Sequence, residues 1–427
     1  LRRSLLTVET ARVSRASTRV RRAGRTDRGG GQEPLRVPGF RASGVHCGIK
    51  SRGLDLALIV SDTPAAVAGV FTRSTVVGAP VELCRENARR GTARGVVINS
   101  GNSNVAMGAR GRRDAAAMAS AAARALGAHP HEMLVASTGV IGEPLPMPRV
   151  RQGIERAAAS LSSAGMARAA RAILTTDTRP KLAAARLRCG DKTVTVGGIA
   201  KGSGMIEPHM ATMLGFLMTD AAATPRFLRG VLRRAADQSF NRLTIDGETS
   251  TSDTLLLLAN GAAGNPVLRS RRSPGARRFE AAVWELSAAL ARDLARDGEG
   301  ATRLVSVRVR QARSRLEAER AARRIANSLL VKTALFGGDA NWGRILQAVG
   351  AARIRLRLER VEVRLGGVAV FRAGASTGPA ARRRAAARLR SPEVEVEVAL
   401  GAGRASASLW TCDLSTDYVR INAEYTS

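Results

Sequence analysis

The sequence predicts an α/β (α+β) fold, a layered sandwich of mixed sheets and helices distinct from a doubly wound nucleotide fold. Three observations carry this. Near-continuous apolar runs of strand length, such as MLGFLM at 213–218 and Leu255–Leu258, read as buried strands. Stretches rich in Ala and Arg have helical length. The two kinds alternate in clumps, not in the strict strand–helix order of a doubly wound sheet. With 427 residues and 44% apolar content, the chain suits two or three domain-sized units with a large core.

Taken in order, residues 1–35 form an Arg-rich extension that cannot bury a core, so disorder is expected. Strands are expected at 55–60, 68–72 and 94–99, then an Asn/Ser cluster at 99–104 that marks a turn, a helix cap or a polar ligand site. An Ala-rich helix follows over 112–126. A strand over 133–136 runs into STGVIG (137–142), where a small hydroxyl and Gly let backbone approach a ligand, as an oxyanion hole requires, or simply turn the chain. Helices over 149–161 and 164–173 lead to TTDTRPK (175–181), read as a polar pocket or a helix terminator. After a strand at 193–197 come the loop 197–212 and the 213–218 strand. Beyond it are a helix (226–238), the polar DGETSTSD (246–253) read as a buried turn between strands, a strand (255–258), and a helix (279–296) ending at DGEGATR (297–303). A strand (304–309), a helix (314–329), KTALFGGDANWGRI (332–345) and strands at 353–365, 392–399 and 404–411 complete the chain. The 332–345 stretch is Gly-rich but lacks the GK[ST] ending of a phosphate loop. There is no internal repeat.

The loop at 197–212 is the chemically pointed stretch. It carries Gly197, Gly198, Gly202 and Gly204 with Lys201 and Ser203, then Met205-Ile206-Glu207-Pro208-His209-Met210-Ala211-Thr212. Gly and Pro force bends, and bends store backbone strain. Thr212 stands between this loop and a core strand. Its hydroxyl could attack the Ala211 carbonyl, shift the chain to an ester and let water split it, leaving Thr212 as a new N-terminus. β-Branching alone would also place Thr at a strand.

Composition narrows the alternatives. The net charge is +33, yet only five of the 68 basic residues are Lys (50, 181, 192, 201, 332). The Arg are spread through stretches read as helical, such as 149–172, 226–235, 268–278, 310–324 and 382–390, and aromatics are only 3%. A general Arg-for-Lys bias explains this better than a nucleic-acid surface. The four Cys (47, 84, 189, 412) are far apart without CxxC, and no His–carboxylate cluster has ligand spacing, so neither a disulfide framework nor a metal site is expected. No run approaches the ~18 apolar residues of a membrane span. The leader lacks a secretory apolar region. It reads as an organelle transit peptide or a misassigned start, so a cytoplasmic location is expected unless residues 1–35 target an organelle.

Five colinear stretches resemble the ornithine acetyltransferase (glutamate N-acetyltransferase) family of arginine biosynthesis: KGSGMIEPHMATML (201–214), STGVIG (137–142), FNRLTIDGETSTSD (240–253), KTALFGGDANWGRI (332–345) and WTCDLSTDYVRINAEY (410–425). The resemblance spans residues ~36–427. It implies a self-processing N-terminal-nucleophile protein cut between Ala211 and Thr212 into an α chain (36–211) and a β chain (212–427) that stay together, expected as α2β2. It implies that Thr212 is the nucleophile and, through its α-amine, the base. Thr138 and Gly139 are then the oxyanion pair, and Thr175, Lys201, Thr212, Glu299, Asn422 and Ser427 are substrate contacts. The reaction implied moves acetyl from N2-acetyl-L-ornithine to L-glutamate by a ping-pong route without cofactor, acetyl-CoA serving only in a bifunctional enzyme. His209 stands where the family pattern has Asn. The rival readings are a related N-terminal-nucleophile amidohydrolase or aminopeptidase and, at a distance, a basic nucleic-acid-binding protein.

Overall fold

The computed structural model describes residues 21–22 by their backbone, and 34–207 and 213–424 in full. The first of its two sheets contains β1 (Arg21–Arg22), β2 (Phe40–Val45), β3 (Leu56–Phe71), β4 (Thr92–Asn102), β5 (Met133–Val140), β6 (Lys181–Cys189), β7 (Lys192–Lys201), β8 (Leu214–Thr219) and β9 (Thr254–Ala259). Their order is β1-β6-β7-β8-β9-β3-β4-β5, with β2 also paired to β3. Among the described residues only β4–β5 and β8–β9 are parallel pairs in this sheet. The second sheet holds β10 (Leu304–Ala312), β11 (Glu362–Leu365), β12 (Val368–Arg372), β13 (Ala375–Ser376), β14 (Glu393–Ala399) and β15 (Ala405–Cys412), in the order β13-β12-β11-β14-β10-β15. This is the layered, mixed α/β arrangement the sequence predicts.

Side-chain alternation explains the apolar runs. In β9, Leu255 and Leu257 join one core cluster while Leu256 and Leu258 join another. A strand covered on both faces has no solvent side and so reads as a continuous apolar run. The first face packs against α5 (Pro225–Gln238) and α6 (Ala276–Arg296). The opposite face takes α1 (Ala79–Arg89) and α4 (Met166–Ala172), and a further cluster seats α2 (Gly108–Leu126) and α3 (Met147–Ala159) on β3–β5. The second sheet buries its Val-rich face against α7 (Arg315–Ala326), α8 (Leu329–Gly337), α9 (Trp342–Gly350) and α10 (Pro379–Arg388). The C-terminal helix is α11 (Thr416–Glu424). Among the described residues no helix is long and apolar enough to cross a membrane.

Several local expectations change. The strands expected at 55–60 and 68–72 are one strand, β3, whose register shifts between Val60 and Ala65. Its first half pairs with β2 and its second with β9, so exposed Asp62-Thr63-Pro64 marks a bulge, not an end. β6 escapes a reading by apolarity because its inward positions are Lys181, Ala183, Ala185, Leu187 and Cys189, with one large apolar side chain among them, and its outward ones include Arg186 and Arg188. The 314–329 helix ends at Ala326, and Ser328 caps a new one by accepting from Val331 N–H. Thus 332–345 is α8, a turn and the start of α9, and of 353–365 only Glu362–Leu365 is strand. Of 268–278 only the end is helical, α6 beginning at Ala276. DGETSTSD lies between a short 3-10 turn (Phe240–Arg242) and β9, with Glu248 and Thr249 exposed. The four Cys are free and buried, and burial pushes Cys47 and Cys84 up to about 12.

Candidate active site

β7 and β8 are antiparallel neighbours, and Lys201, the last residue of β7, is the register partner of Leu214, the first of β8. The chain therefore leaves the sheet after Lys201 and rejoins it at Leu214 at the same level of the strand pair. Lys201 is buried there. Its Nζ donates to Thr175 Oγ1 (2.9 Å) and Thr138 Oγ1 (3.2 Å) and lies 3.9 Å from Asp177 Oδ2. Burial draws its pKa down, with the Asp177 charge opposing and that of Lys181 adding to the fall.

Thr138 and Gly139 lie near the end of β5, before its last residue Val140. Gly139 has φ +130°, and a Cβ there would lie 2.3 Å from the Gly101 carbonyl carbon across the β4–β5 pair. Only glycine fits both conditions. The Asn/Ser cluster holds this turn from behind: Ser137 Oγ donates to Asn99 Oδ1 (2.5 Å), Asn99 Nδ2 to Asn102 O (2.7 Å), and Ser103 Oγ to Val140 O (2.7 Å). Residues 99–102, read from the sequence as a turn, a helix cap or a polar ligand site, are instead the last residues of β4, and these side chains hold its pairing with β5.

TTDTRPK, read as a polar pocket or a helix terminator, forms a hydrogen-bonded polar cluster that follows the end of α4. Thr176 Oγ1 donates to Glu299 Oε1 (2.7 Å) and lies 2.7 Å from Ser203 Oγ. Asn422 Nδ2, from α11, donates to Glu299 Oε2 (2.8 Å). Gly204 is glycine for a reason: a Cβ there would meet that carboxylate at 2.3 Å. Beneath these groups Lys181, fully buried, pairs with Asp177 and with Asp297 (2.5 Å). Asp177 also accepts from Gly202 N–H (2.7 Å). Burial pushes Asp177 up, but the Lys181 and Lys201 charges outweigh it and leave the carboxyl below the usual range.

Of the residues expected at a site, Thr138, Gly139, Thr175, Lys201, Glu299 and Asn422 are brought together in one contact chain. Ala211, Thr212, His209 and Ser427 lie outside the described residues. The segments on either side of 208–212 are held by the 244–254 stretch. Upstream, Asp246 accepts from Met205 N–H (2.6 Å) and Ile206 N–H (2.8 Å), with Met205 at φ +55°. Glu207 accepts from Thr244 Oγ1 (2.8 Å), Arg323 (2.6 Å) and Asn327 (2.8 Å). Downstream, Asp253 Oδ1 accepts from Met213 N–H (2.9 Å), while Oδ2 has no hydrogen-bond partner among the described residues. Burial raises Asp253 well above the usual carboxylate range, against the opposing Met213 N–H and Lys201 charge.

The ArgJ family pattern matches residues 41–427. The chain belongs to the ArgJ family. It is 51% identical over 92% of its length to the whole arginine biosynthesis bifunctional protein ArgJ of Geobacter sulfurreducens. The protein of that name from Bacillus subtilis is 43% identical over 91% of this chain and 95% of its own. Among solved structures, arginine biosynthesis bifunctional protein argJ from Bacillus halodurans is 39% identical, covering 49% of this chain and 98% of its own with a TM-score of 0.47. Ornithine acetyltransferase from Mycobacterium tuberculosis, complexed with ornithine, is also 39% identical, covering 45% and 98% with a TM-score of 0.41.

Among the described residues no three His, Cys, Asp or Glu side chains gather closely enough to hold a metal. Sequence reasoning missed Lys50, Thr176, Asp177, Lys181, Asp246, Asp253 and Asp297 as individuals. One signal pointed to two of them, Lys50 and Lys181. Lys50, Lys181 and Lys201 are three of only five Lys among 68 basic residues, and all three lie here.

Proposed function

We propose that this ArgJ-family chain severs itself between Ala211 and Thr212 and then carries acetyl from N2-acetyl-L-ornithine to L-glutamate as an ester on Thr212. Family membership supports the reaction. The observation that carries the assignment of residues is the contact chain Thr138–Lys201–Thr175, set at the β7 end beside Leu214, two residues along the chain from Thr212.

In self-cleavage the Thr212 hydroxyl attacks the Ala211 carbonyl, the peptide becomes an ester, and water releases an Ala211 carboxylate and the Thr212 α-amine. That amine, with an unperturbed pKa of about 7.7–8.0, takes the hydroxyl proton in the transfer reaction. Thr212 Oγ attacks the acetyl carbonyl and the carbonyl carbon becomes tetrahedral. Because Thr138 Oγ1 accepts from Lys201, its own hydrogen is free to donate to the developing O⁻ alongside Gly139 N–H. The ammonium returns its proton to the departing nitrogen, and ornithine leaves. The glutamate amine then attacks the ester, giving N-acetylglutamate and free Thr212. Glu299 pairs with a substrate ammonium, and Thr175, Asn422 and Ser427 line the substrate. The route needs neither metal nor organic cofactor. Acetyl-CoA enters as a second donor only if the chain is bifunctional, as its relatives are named. The α and β chains assemble as α2β2 in the cytoplasm.

A denaturing gel with N-terminal sequencing tests the reading. Two fragments are expected, one beginning Thr-Met-Leu-Gly, and Thr212→Ala stays in one piece. Cleavage persisting in that variant rejects Thr212. Labelled acetylornithine should yield labelled N-acetylglutamate, and acetate release indifferent to glutamate would identify a hydrolase instead.

A further inference from the structure

Lys50 has no part in the reaction as described, yet it reaches the same place. Its loop is fixed by the fully buried Asp55, whose carboxylate accepts N–H from Cys47 (2.6 Å), Gly48 (3.0 Å), Ile49 (2.8 Å) and Lys50 itself (3.1 Å). Four charge-assisted bonds hold the loop end firmly. From there the Lys50 stem crosses Gly101 so closely that a Cβ at Gly101 would stand 2.6 Å from Lys50 Cγ. Gly101 is the register partner of Gly139. The ammonium donates to Leu174 O (3.1 Å), one residue before Thr175. The contacts thus close a ring: Gly139 to Gly101, Lys50, Leu174–Thr175, Lys201 and back to Thr138.

The cation in this ring lacks an anion. Lys181, nearby, has two carboxylates within 4 Å. Among the described residues Lys50 has only a neutral carbonyl as hydrogen-bond partner and no carboxylate within 4 Å, although it is half-buried. Burial lowers its pKa, and Lys201 adds to that, with Asp55 and Asp177 opposing from farther off. An ammonium carries three donors, and one is accounted for. A desolvated cation with free donors is complementary to an incoming carboxylate.

We propose that Lys50 binds the α-carboxylate common to the acetylated donor and the acceptor amino acid, a role that rests on the transfer reaction above. The geometry selects this carboxylate over the glutamate side chain. In an N-acetyl amino acid the α-carboxylate is three bonds from the acetyl carbonyl carbon. Three bonds keep the α-carboxylate next to the acetyl carbonyl, and with that carbonyl at Gly139 the neighbouring cation is Lys50, whose stem passes over Gly101, the register partner of Gly139. The glutamate γ-carboxylate lies two carbons farther.

The test is Lys50→Met, which keeps the stem over Gly101 and removes the charge. KM for acetylornithine and for glutamate should both rise about 10- to 100-fold, the range for a lost hydrogen bond to a charged group. Turnover at saturation should stay within a few-fold, and self-cleavage and melting should match the unaltered protein. Lys50→Arg, which restores a cation, should recover most of the loss. A second readout separates recognition from packing. The unaltered enzyme should favour acetylornithine over its α-carboxamide by the same 10- to 100-fold, and Lys50→Met should scarcely distinguish them. A Lys50→Met enzyme that still prefers the carboxylate as strongly overturns the proposal, as does a KM rise confined to glutamate. An unaltered enzyme that transfers no acetyl rejects the function and this role with it.

Discussion

Lys181 shows how far a single residue determines this site. It is fully buried and balances Asp177, which accepts from Gly202 N–H, and Asp297, which accepts from Thr178 N–H (3.1 Å). Lys181→Met would leave the two buried carboxylates only more distant cations, Lys201 at 3.9 Å from Asp177 and Arg179 at 3.9 Å from Asp297, and breaking a buried pair in this way costs about 3–5 kcal/mol. Urea unfolding should show that loss, and an unchanged midpoint would refute the pairing. Asp253 gives the opposite sign with pH. Its folded pKa is raised by burial, so its contribution is complete below the ordinary carboxyl value of 3.8 and drains away as pH climbs toward the folded value. Asp253→Asn mimics the protonated form and escapes this loss. Its urea midpoint should gain on that of the unaltered chain as pH rises from about 4, and parallel profiles would refute the raised pKa. Asp253 and Asp297 did not stand out in the sequence, because each acts through partners remote in the chain: Asp253 lies 40 residues from Met213 and Asp297 119 from Thr178. Lys181 could have been noticed. Where Arg stands nearly everywhere, a Lys marks a place that wants a compact ammonium, and of the five only Lys192 is exposed.

Elements were legible where burial on both faces or a strict helical length imposed itself, as in β8, β9, α2 and α5. They were hidden where small residues did the packing, as in β6, or where a strand changed partners midway, as in β3. Thr138, Gly139, Lys201 and Glu299 were found because their stretches resembled a family, not because spacing alone brought them together. The polar 244–254 stretch took meaning only from its contacts. Asp246 pins Met205 and Ile206, Asp253 pins Met213, and Thr254 N–H donates to Met213 O (3.2 Å), so both ends of the 206–213 segment rest on one brace. Asp246 also supports Met205 at a positive φ, which costs a non-glycine residue roughly 1–2 kcal/mol. If Thr212 cuts the chain, Asp246→Asn should relax that geometry. Newly made protein should then hold the intact 45.0 kDa band about ten-fold longer, while its melting temperature moves little. Cleavage at the ordinary rate would show that the brace has no part in it.

At the scale of the whole molecule, the proposed cut does not follow a division of the structure. The strands before and after it, β7 and β8, are neighbours joined through six register pairs, Val196–Lys201 against Thr219–Leu214. One core cluster draws Val194 and Val196 from one side of the cut and Leu217, Leu255 and Leu286 from the other, and a second mixes Ile59 and Ile98 with Phe216 and Leu256. Severing one peptide bond in the connecting segment removes none of these contacts. Each fully buried Leu or Phe contributes roughly 1.5–3 kcal/mol, so separating the fragments would uncover far more apolar surface than either could leave exposed in water. The processed protein should therefore pass through a gel-filtration column with both fragments in every fraction, up to the denaturant concentration at which its secondary structure melts. The two fragments should also lose structure in a single transition. A β fragment that elutes alone while still folded would mean that the sheet does not bind the two chains into one body.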